Sequence, residues 1–237
     1  MISFPRRLSV ETLDHLPEND PRAIGSRRDL QRINRIMGAV PIFLDALERH
    51  AGPPRRIIEL GAGDGTLMLR LAQRLAPLWQ DVHLTLLDRQ NLISPATHYA
   101  FNQLGWTVES LNVDVNDWIR QPSGERWDIG FANLFIHHFD THGIAMLFDV
   151  LAQRTDAFIA CEPRRAALPL LASRLVGLIG ANTVTREDAV LSVEAGFDGA
   201  ELSALWPRQD TAWRLDERRA RLFSHLFIAV RETQHSH

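Results

Sequence analysis

Ile57-Ile58-Glu59-Leu60-Gly61-Ala62-Gly63-Asp64-Gly65-Thr66 is the stretch on which the reading of this chain turns. An apolar run carrying one acid leads into glycines at alternate positions. Thr66 then opens a segment with Leu67, Leu71 and Leu75 at helical spacing. The pattern reads as strand, tight turn and helix start. Glycines at such a turn admit positive φ and let a ligand approach the main chain closely. A dinucleotide-binding turn spaces its glycines G-x-G-x-x-G and seats a pyrophosphate on the helix N-terminus. Here the third glycine comes one residue early, and Asp64 stands inside the loop. Negative charge there suits a ligand bearing an ammonium or a sulfonium better than a pyrophosphate.

Outward from this point the chain alternates. Val82 to Asp88 reads as a second strand, Pro95 to Leu104 as a helix, and Trp106 to Asn112 as a third strand. Trp127 to Asn133 is a fourth, a helix follows around Ile144 to Leu151, and Ala157 to Cys161 is a fifth. Strands separated by helices of this length imply βαβ units and a parallel sheet with right-handed crossovers. The C-terminal third breaks the rhythm. An apolar helix is expected from Leu168 to Ile179 within an insertion at 164–184, and Thr185 is expected to cap the next one. Glu201 to Trp206 and Leu222 to Arg231 are expected to close the chain as an antiparallel hairpin at the sheet edge.

Upstream, residues 1–25 are rich in proline and charge and read as an arm lying on the rest. A helix is expected from Ser26, with Leu30, Ile33 and Met37 as its apolar stripe and Gly38 as its end. Pro41 opens a second helix that stops at Gly52-Pro53-Pro54. The expected division is an arm with lid helices over residues 1–54 and an α/β domain over 55–237. That domain is a Rossmann-like, seven-stranded, mostly parallel sheet with an antiparallel last strand and helices on both faces.

The segment Glu59-Leu60-Gly61-Ala62-Gly63-Asp64-Gly65 resembles the first motif of the class I S-adenosylmethionine-dependent methyltransferases, an acid followed by G-x-G-x-G. The resemblance covers roughly residues 55–162, and the closing hairpin is similar to that family's antiparallel seventh strand. It implies S-adenosyl-L-methionine as cofactor and S-adenosyl-L-homocysteine as product. By the same resemblance Asp88 takes the ribose hydroxyls, Asp114 with Val115 binds the adenine side, and Asn133-Leu134 holds the methionine part. Glu59, Asp64, Asp88 and Asp114 would then converge on the carboxyl ends of strands 1 to 3, where open α/β sheets bind ligands.

After the fourth strand comes Asn133-Leu134-Phe135-Ile136-His137-His138. Methyl transfer needs an aligned nucleophile and a group to take its proton. The Asn/Asp-Pro-Pro-aromatic motif of amine methyltransferases is missing from this position, and the histidine pair is similar to the loop of small-molecule O- or C-methyltransferases. His137, with slight preference over His138, is a candidate base; capping or packing is the alternative for each. A metal reading of His137, His138 and His142 finds no H-E-x-x-H motif and no second cluster to supply a third ligand, so no metal is expected. Asn34, on the apolar stripe of the first helix and flanked by Arg28 and Arg32, is expected to face inward. It either touches cofactor or substrate or caps a neighbouring loop. Arg164 and Arg165 would pair with an anionic substrate or form a solvated surface pair.

Composition narrows the classes further. Arginine supplies all 26 basic side chains, so lysine Schiff-base chemistry and the P-loop lysine are excluded. A net charge of −3 gives no chain-wide attraction to nucleic acid or anionic lipid. The single Cys161 excludes internal disulfides and multi-cysteine metal sites. No run reaches the roughly 20 apolar residues of a membrane span, and Met1 to Arg7 lacks the apolar core of a signal peptide. The expectation is a cytoplasmic monomer or homodimer that methylates a small acceptor, aromatic or polyketide/quinone-like, of the kind found in secondary metabolism. A hydroxyl nucleophile is favoured and carbon comes next. A non-catalytic S-adenosylmethionine-binding protein and a nicotinamide-dependent reductase are the rivals.

Overall fold

The computed structural model describes residues 4–50, 52–207 and 213–232; the first three residues of the expected arm lie outside that set. Helices α1 (Pro21–Met37) and α2 (Ala39–His50) precede β1 (Arg56–Leu60), α3 (Thr66–Leu75), β2 (His83–Asp88), α4 (Pro95–Gln103) and β3 (Thr107–Asn112). A short α5 (Val115–Arg120), β4 (Trp127–Asn133), α6 (Thr141–Arg154) and β5 (Thr155–Pro163) follow. Then come α7 (Ala167–Arg174), α8 (Thr183–Ala195), β6 (Trp213–Ala220) and β7 (Ser224–Arg231).

The seven strands run β3-β2-β1-β4-β5-β7-β6. The first five are parallel, and β7 is antiparallel to both β5 and β6. Side chains alternate across the pleat. Ile57 therefore joins the core with Phe43, Leu71 and Trp106 on one face. Its neighbour Ile58 joins Phe148, Phe158 and Phe227 on the other. Chain direction away from β1 reverses between β1 and β4, which opens a crevice at their carboxyl ends. No helix among the described residues is long and apolar enough to cross a membrane.

Four sequence expectations are corrected. The first helix begins at Pro21 rather than Ser26, because the Asp20 side chain accepts from Arg22 N and proline fits the first turn. Ser26 lies inside the helix, its hydroxyl 2.9 Å from Thr185 Oγ1. Asn182 caps α8, and Thr185 donates its backbone N–H to that cap. The apolar run from Leu168 is broken: α7 ends at Arg174, and a 3-10 turn spans Val176–Ile179 before Gly180 takes φ +79°.

The sixth strand was expected at Glu201 to Trp206, and this segment is instead a helical turn, with Ala204 N donating to Ala200 O and Trp206 N to Leu202 O. Leu202 and Trp206, four apart, are both buried. The real β6, Trp-Arg-Leu-Asp-Glu-Arg-Arg-Ala, is an edge strand whose charges mask its pattern.

Candidate functional site

The glycine turn after β1 builds one wall of the crevice. Gly61, Gly63 and Gly65 all have left-handed φ, at 65°, 55° and 71°. Leu87 O accepts from Ala62 N at 3.1 Å, and the Asp88 carboxylate accepts from Gly63 N at 2.8 Å, so β2 holds the turn in place. Opposite, β4 ends in Asn133 and Leu134. Leu134 has φ +51°, a conformation costly for a branched residue. Its N–H is fixed on Cys161 O at 3.0 Å.

Helix α1 roofs the crevice with Arg27, Leu30, Gln31 and Asn34, one helical face at i, i+3, i+4 and i+7. Gln31 donates to Asp64 Oδ2 at 2.5 Å and to Thr66 Oγ1 at 3.2 Å. Asn133 Nδ2 donates to Asn34 Oδ1 at 3.1 Å. Roof, turn and strand end are thus tied by side-chain amides.

Glu59 lies at the base. It is 3% exposed, and its Oε2 has no hydrogen-bond partner; Asn133 Oδ1 is likewise buried and unpaired. Burial, with Asp64 and Asp88 adding repulsion, holds the Glu59 carboxyl well above the usual carboxylate range. An unpaired buried carboxyl costs free energy that a cationic partner would recover. The donor set fits a ligand bringing an ammonium or a sulfonium.

Of the residues singled out in the sequence, the crevice gathers Glu59, Gly61, Ala62, Gly63, Asp64, Asn133, Leu134 and Asn34. Others are placed elsewhere. The Asp88 carboxylate accepts from the N–H groups of Gly63 and Gln90, one on each oxygen. Asp114 caps α5, accepting from Asn116 N and Nδ2, and Val115 is buried in the core. Arg28 is exposed and does not line the crevice. Arg32 pairs with Asp29 and reaches Ile179 O. Arg164 and Arg165 are neither solvated nor at the crevice. Arg165 binds Glu201 through both terminal guanidinium nitrogens and donates also to Phe4 O and Gly196 O, and Arg164 Nη1 donates to Leu222 O.

The histidine pair falls in a 3-10 turn, Ile136–His138, built on a residue that sequence reasoning passed over. Glu162, fully buried at the end of β5, accepts from Phe135 N, Ile136 N and His137 N and pairs with His137 Nδ1 at 2.7 Å. Burial acts to lower the His137 pKa, but the carboxylates of Glu11 and Glu162 outweigh it and push it up to about 9. The ring is 2% exposed, stands between Glu11 and Glu162, and does not line the crevice. His138 is a quarter exposed and faces Asp14.

Glu11 and Asp14 come from the N-terminal arm, which crosses this end of the sheet. Arg6 donates to the carbonyls of His137 and Phe139, Thr12 N and Leu13 N donate to Asp188, and Asn91 N donates to Glu18. Arg27, Gln31, Glu11 and Glu162 were not foreseen. The i, i+3, i+4, i+7 relation to Asn34 would have found the first two.

No family model matches the sequence, and no curated protein sequence matches it. Solved structures do. An O-methyltransferase family protein from Burkholderia thailandensis superposes with TM-score 0.58 at 14% identity, over 94% of this chain and 62% of that one. This chain therefore spans less than two thirds of that protein. The plantazolicin methyltransferase BpumL in complex with SAH gives TM-score 0.58 at 13% identity, over 90% and 92% of the two chains. The magnesium protoporphyrin IX methyltransferase ChlM from Synechocystis PCC 6803 with bound SAH gives 0.51 at 16%, over 93% and 91%. The chain has the Rossmann-like fold that these methyltransferases share.

Proposed function

We propose that the crevice binds S-adenosylmethionine and that the protein transfers a methyl group to a small acceptor. An aromatic or polyketide/quinone-like compound is favoured, with a hydroxyl nucleophile first and carbon next. The observation that carries this reading is Glu59, a buried acid with an unpaired oxygen beneath a G-x-G-x-G turn. S-adenosylmethionine, when bound, supplies an electrophilic methyl carbon on a sulfonium. Glu59 would ionise towards the cofactor's ammonium, and the turn backbone at Gly61 and Gly63 would lie against it. Asn133 offers its unpaired Oδ1, and Asn34 fixes the orientation of that amide. Asp88, which also accepts from Gly63 N, would take the ribose hydroxyls, and Asp114 with Val115 would bind the adenine side. The α1 roof would exclude water from the reacting groups. Residues 1–54 would serve as arm and lid, and 55–237 as the transferase domain.

Support also comes from the solved structures of similar fold, two of which are described as holding SAH. An apolar acceptor is favoured by α7 and the turn after it, where Leu168, Leu171, Leu175 and Leu178 remain exposed. A cytoplasmic monomer or homodimer without a nucleic-acid partner completes the proposal.

Calorimetry with S-adenosylmethionine, S-adenosylhomocysteine and NADPH tests the cofactor; binding of NADPH alone would overturn it. A product-mass screen with methyl-labelled cofactor against phenols, hydroxyquinones and resorcinols tests the reaction. Cofactor binding without turnover on any acceptor would leave a non-catalytic binding protein.

A further inference from the structure

We propose that Glu11, His137 and His138 bind a single divalent cation of the zinc class, which fastens the N-terminal arm to the turn after β4. One ligand atom from each of the three residues lies within 4.8 Å of the others. His137 is oriented as histidine ligands are, and a cation at its Nε2 would displace the proton there while Nδ1 stays on Glu162. Its Nδ1 is held by the fully buried Glu162 at 2.7 Å, and its Nε2 is buried with no hydrogen-bond partner. A carboxylate on one ring nitrogen that orients the other towards a metal is the recurrent support of histidine ligands.

Nε2 stands 3.4 Å from Glu11 Oε1. Two ligands bonded to one tetrahedral zinc at about 2.0–2.1 Å lie about 3.4 Å apart, so this pair already has the spacing. The His138 ring stacks against His137 with centroids 4.3 Å apart. Asp14 Oδ2 approaches His138 Nδ1 at 3.3 Å, a second carboxylate beside a second imidazole. Ser192 Oγ donates to Glu11 Oε1 at 2.5 Å and fixes that side chain.

Imidazole with carboxylate suits zinc, whereas magnesium demands an oxygen-rich octahedral set. Three protein ligands leave a fourth position for water. Charge agrees. Glu11, Glu162 and Asp14 place three carboxylates around the two rings. Of the nearby guanidinium groups, Arg6 is spent on backbone carbonyls, and Arg89 reaches only Asp14 at the rim. Because Glu11 belongs to the arm and both histidines to the turn, one ion would link segments more than 120 residues apart in sequence.

Chelator-stripped full-length protein, titrated with zinc chloride alone by calorimetry, should bind one ion per chain. Magnesium chloride should give no binding. Glu11→Ala and His138→Ala should each weaken zinc binding at least about 10-fold, and Glu162→Gln by about 10–100-fold. His235→Ala/His237→Ala should leave it unchanged and controls for tail histidines. Glu11 is 9% exposed and His138 about a quarter, and circular dichroism checks the fold of both variants. Hydrogen exchange supplies a separate readout, since zinc should protect residues 4–20 in the parent and not in Glu11→Ala. Absence of zinc binding, binding abolished by the tail variant, or binding indifferent to Glu11→Ala and His138→Ala would overturn the site. Stoichiometric binding without protection of the arm would overturn its fastening role.

Discussion

Glu59 concentrates the energetics of the crevice in one carboxyl. Its pKa is raised above the usual carboxylate range in the folded state, so the fold prefers the protonated form. The stability this contributes is fully present below the unfolded pKa near 4.5 and is lost as pH climbs towards the folded value. Glu59→Gln keeps the shape and removes the titration. Without cofactor, its melting temperature should match the parent's near pH 4 and exceed it at pH 7–8. Its affinity for S-adenosylmethionine should fall about 10–100-fold, the loss of one charge-assisted hydrogen bond. A parent-like pH profile of melting would show that Glu59 ionises freely.

The neighbouring glycines behave differently from one another. A Cβ on Gly61 would lie 2.2 Å from the Phe135 ring, so Gly61→Val strains the histidine turn as well as the crevice and should lower the melting temperature. A Cβ on Gly63 meets no protein atom within 4 Å. Gly63→Ala should therefore fold, at a cost of about 1–2 kcal/mol for its positive φ, while losing cofactor affinity. Calorimetry separates the two effects, and full affinity in Gly63→Ala would mean that no ligand approaches the turn there.

Among the elements, α1 decides whether the crevice is closed, and α8 decides where α1 sits. Asp29, buried on α1, accepts from Asn182 N at 2.8 Å and from Thr185 Oγ1 at 3.0 Å, which joins the roof helix to the start of α8. Asp29→Ala strands those donors. It should cost about 2 kcal/mol and lower the melting temperature by about 4–8 °C. Because the same helix carries Gln31 and Asn34, hydrogen exchange across residues 21–37 should quicken and cofactor affinity should drop together. Faster exchange with unchanged affinity would show that the roof is dispensable for binding.

Across the whole molecule, the sheet centre supplies a probe of global opening. Cys161 lies in β5 between Asn133 of β4 and Leu226 of β7. It is 1% exposed, and burial pushes its thiol up to about 12. The native protein should resist iodoacetamide at pH 8 for as long as it stays folded. Modification should accelerate with denaturant in step with loss of circular dichroism, and zinc should not alter its rate ahead of unfolding. Rapid labelling under native conditions would place an opening of β5 well below the global unfolding free energy.

The architecture was legible wherever a segment's period was enforced by burial. Strand β4, from Trp127 to Asn133, and helix α3, from Thr66 to Leu75, sit at the residues read from the sequence, because each packs an apolar face against the core. The glycine turn was equally legible, since only glycine takes positive φ at alternate positions without strain. Strand β6 was not, because it owes its pairing to β7 and holds charged side chains through partners such as His225 on Glu217, so no apolar alternation marks it. For His137, the sequence supplied an imidazole at the carboxyl edge of the sheet. Its neighbours came from Glu162, 25 residues on, and from Glu11, far upstream in the arm. A residue's conformation follows from local sterics, which the sequence carries. The charge state of a buried side chain depends on groups that only the completed fold brings within a few ångströms of it.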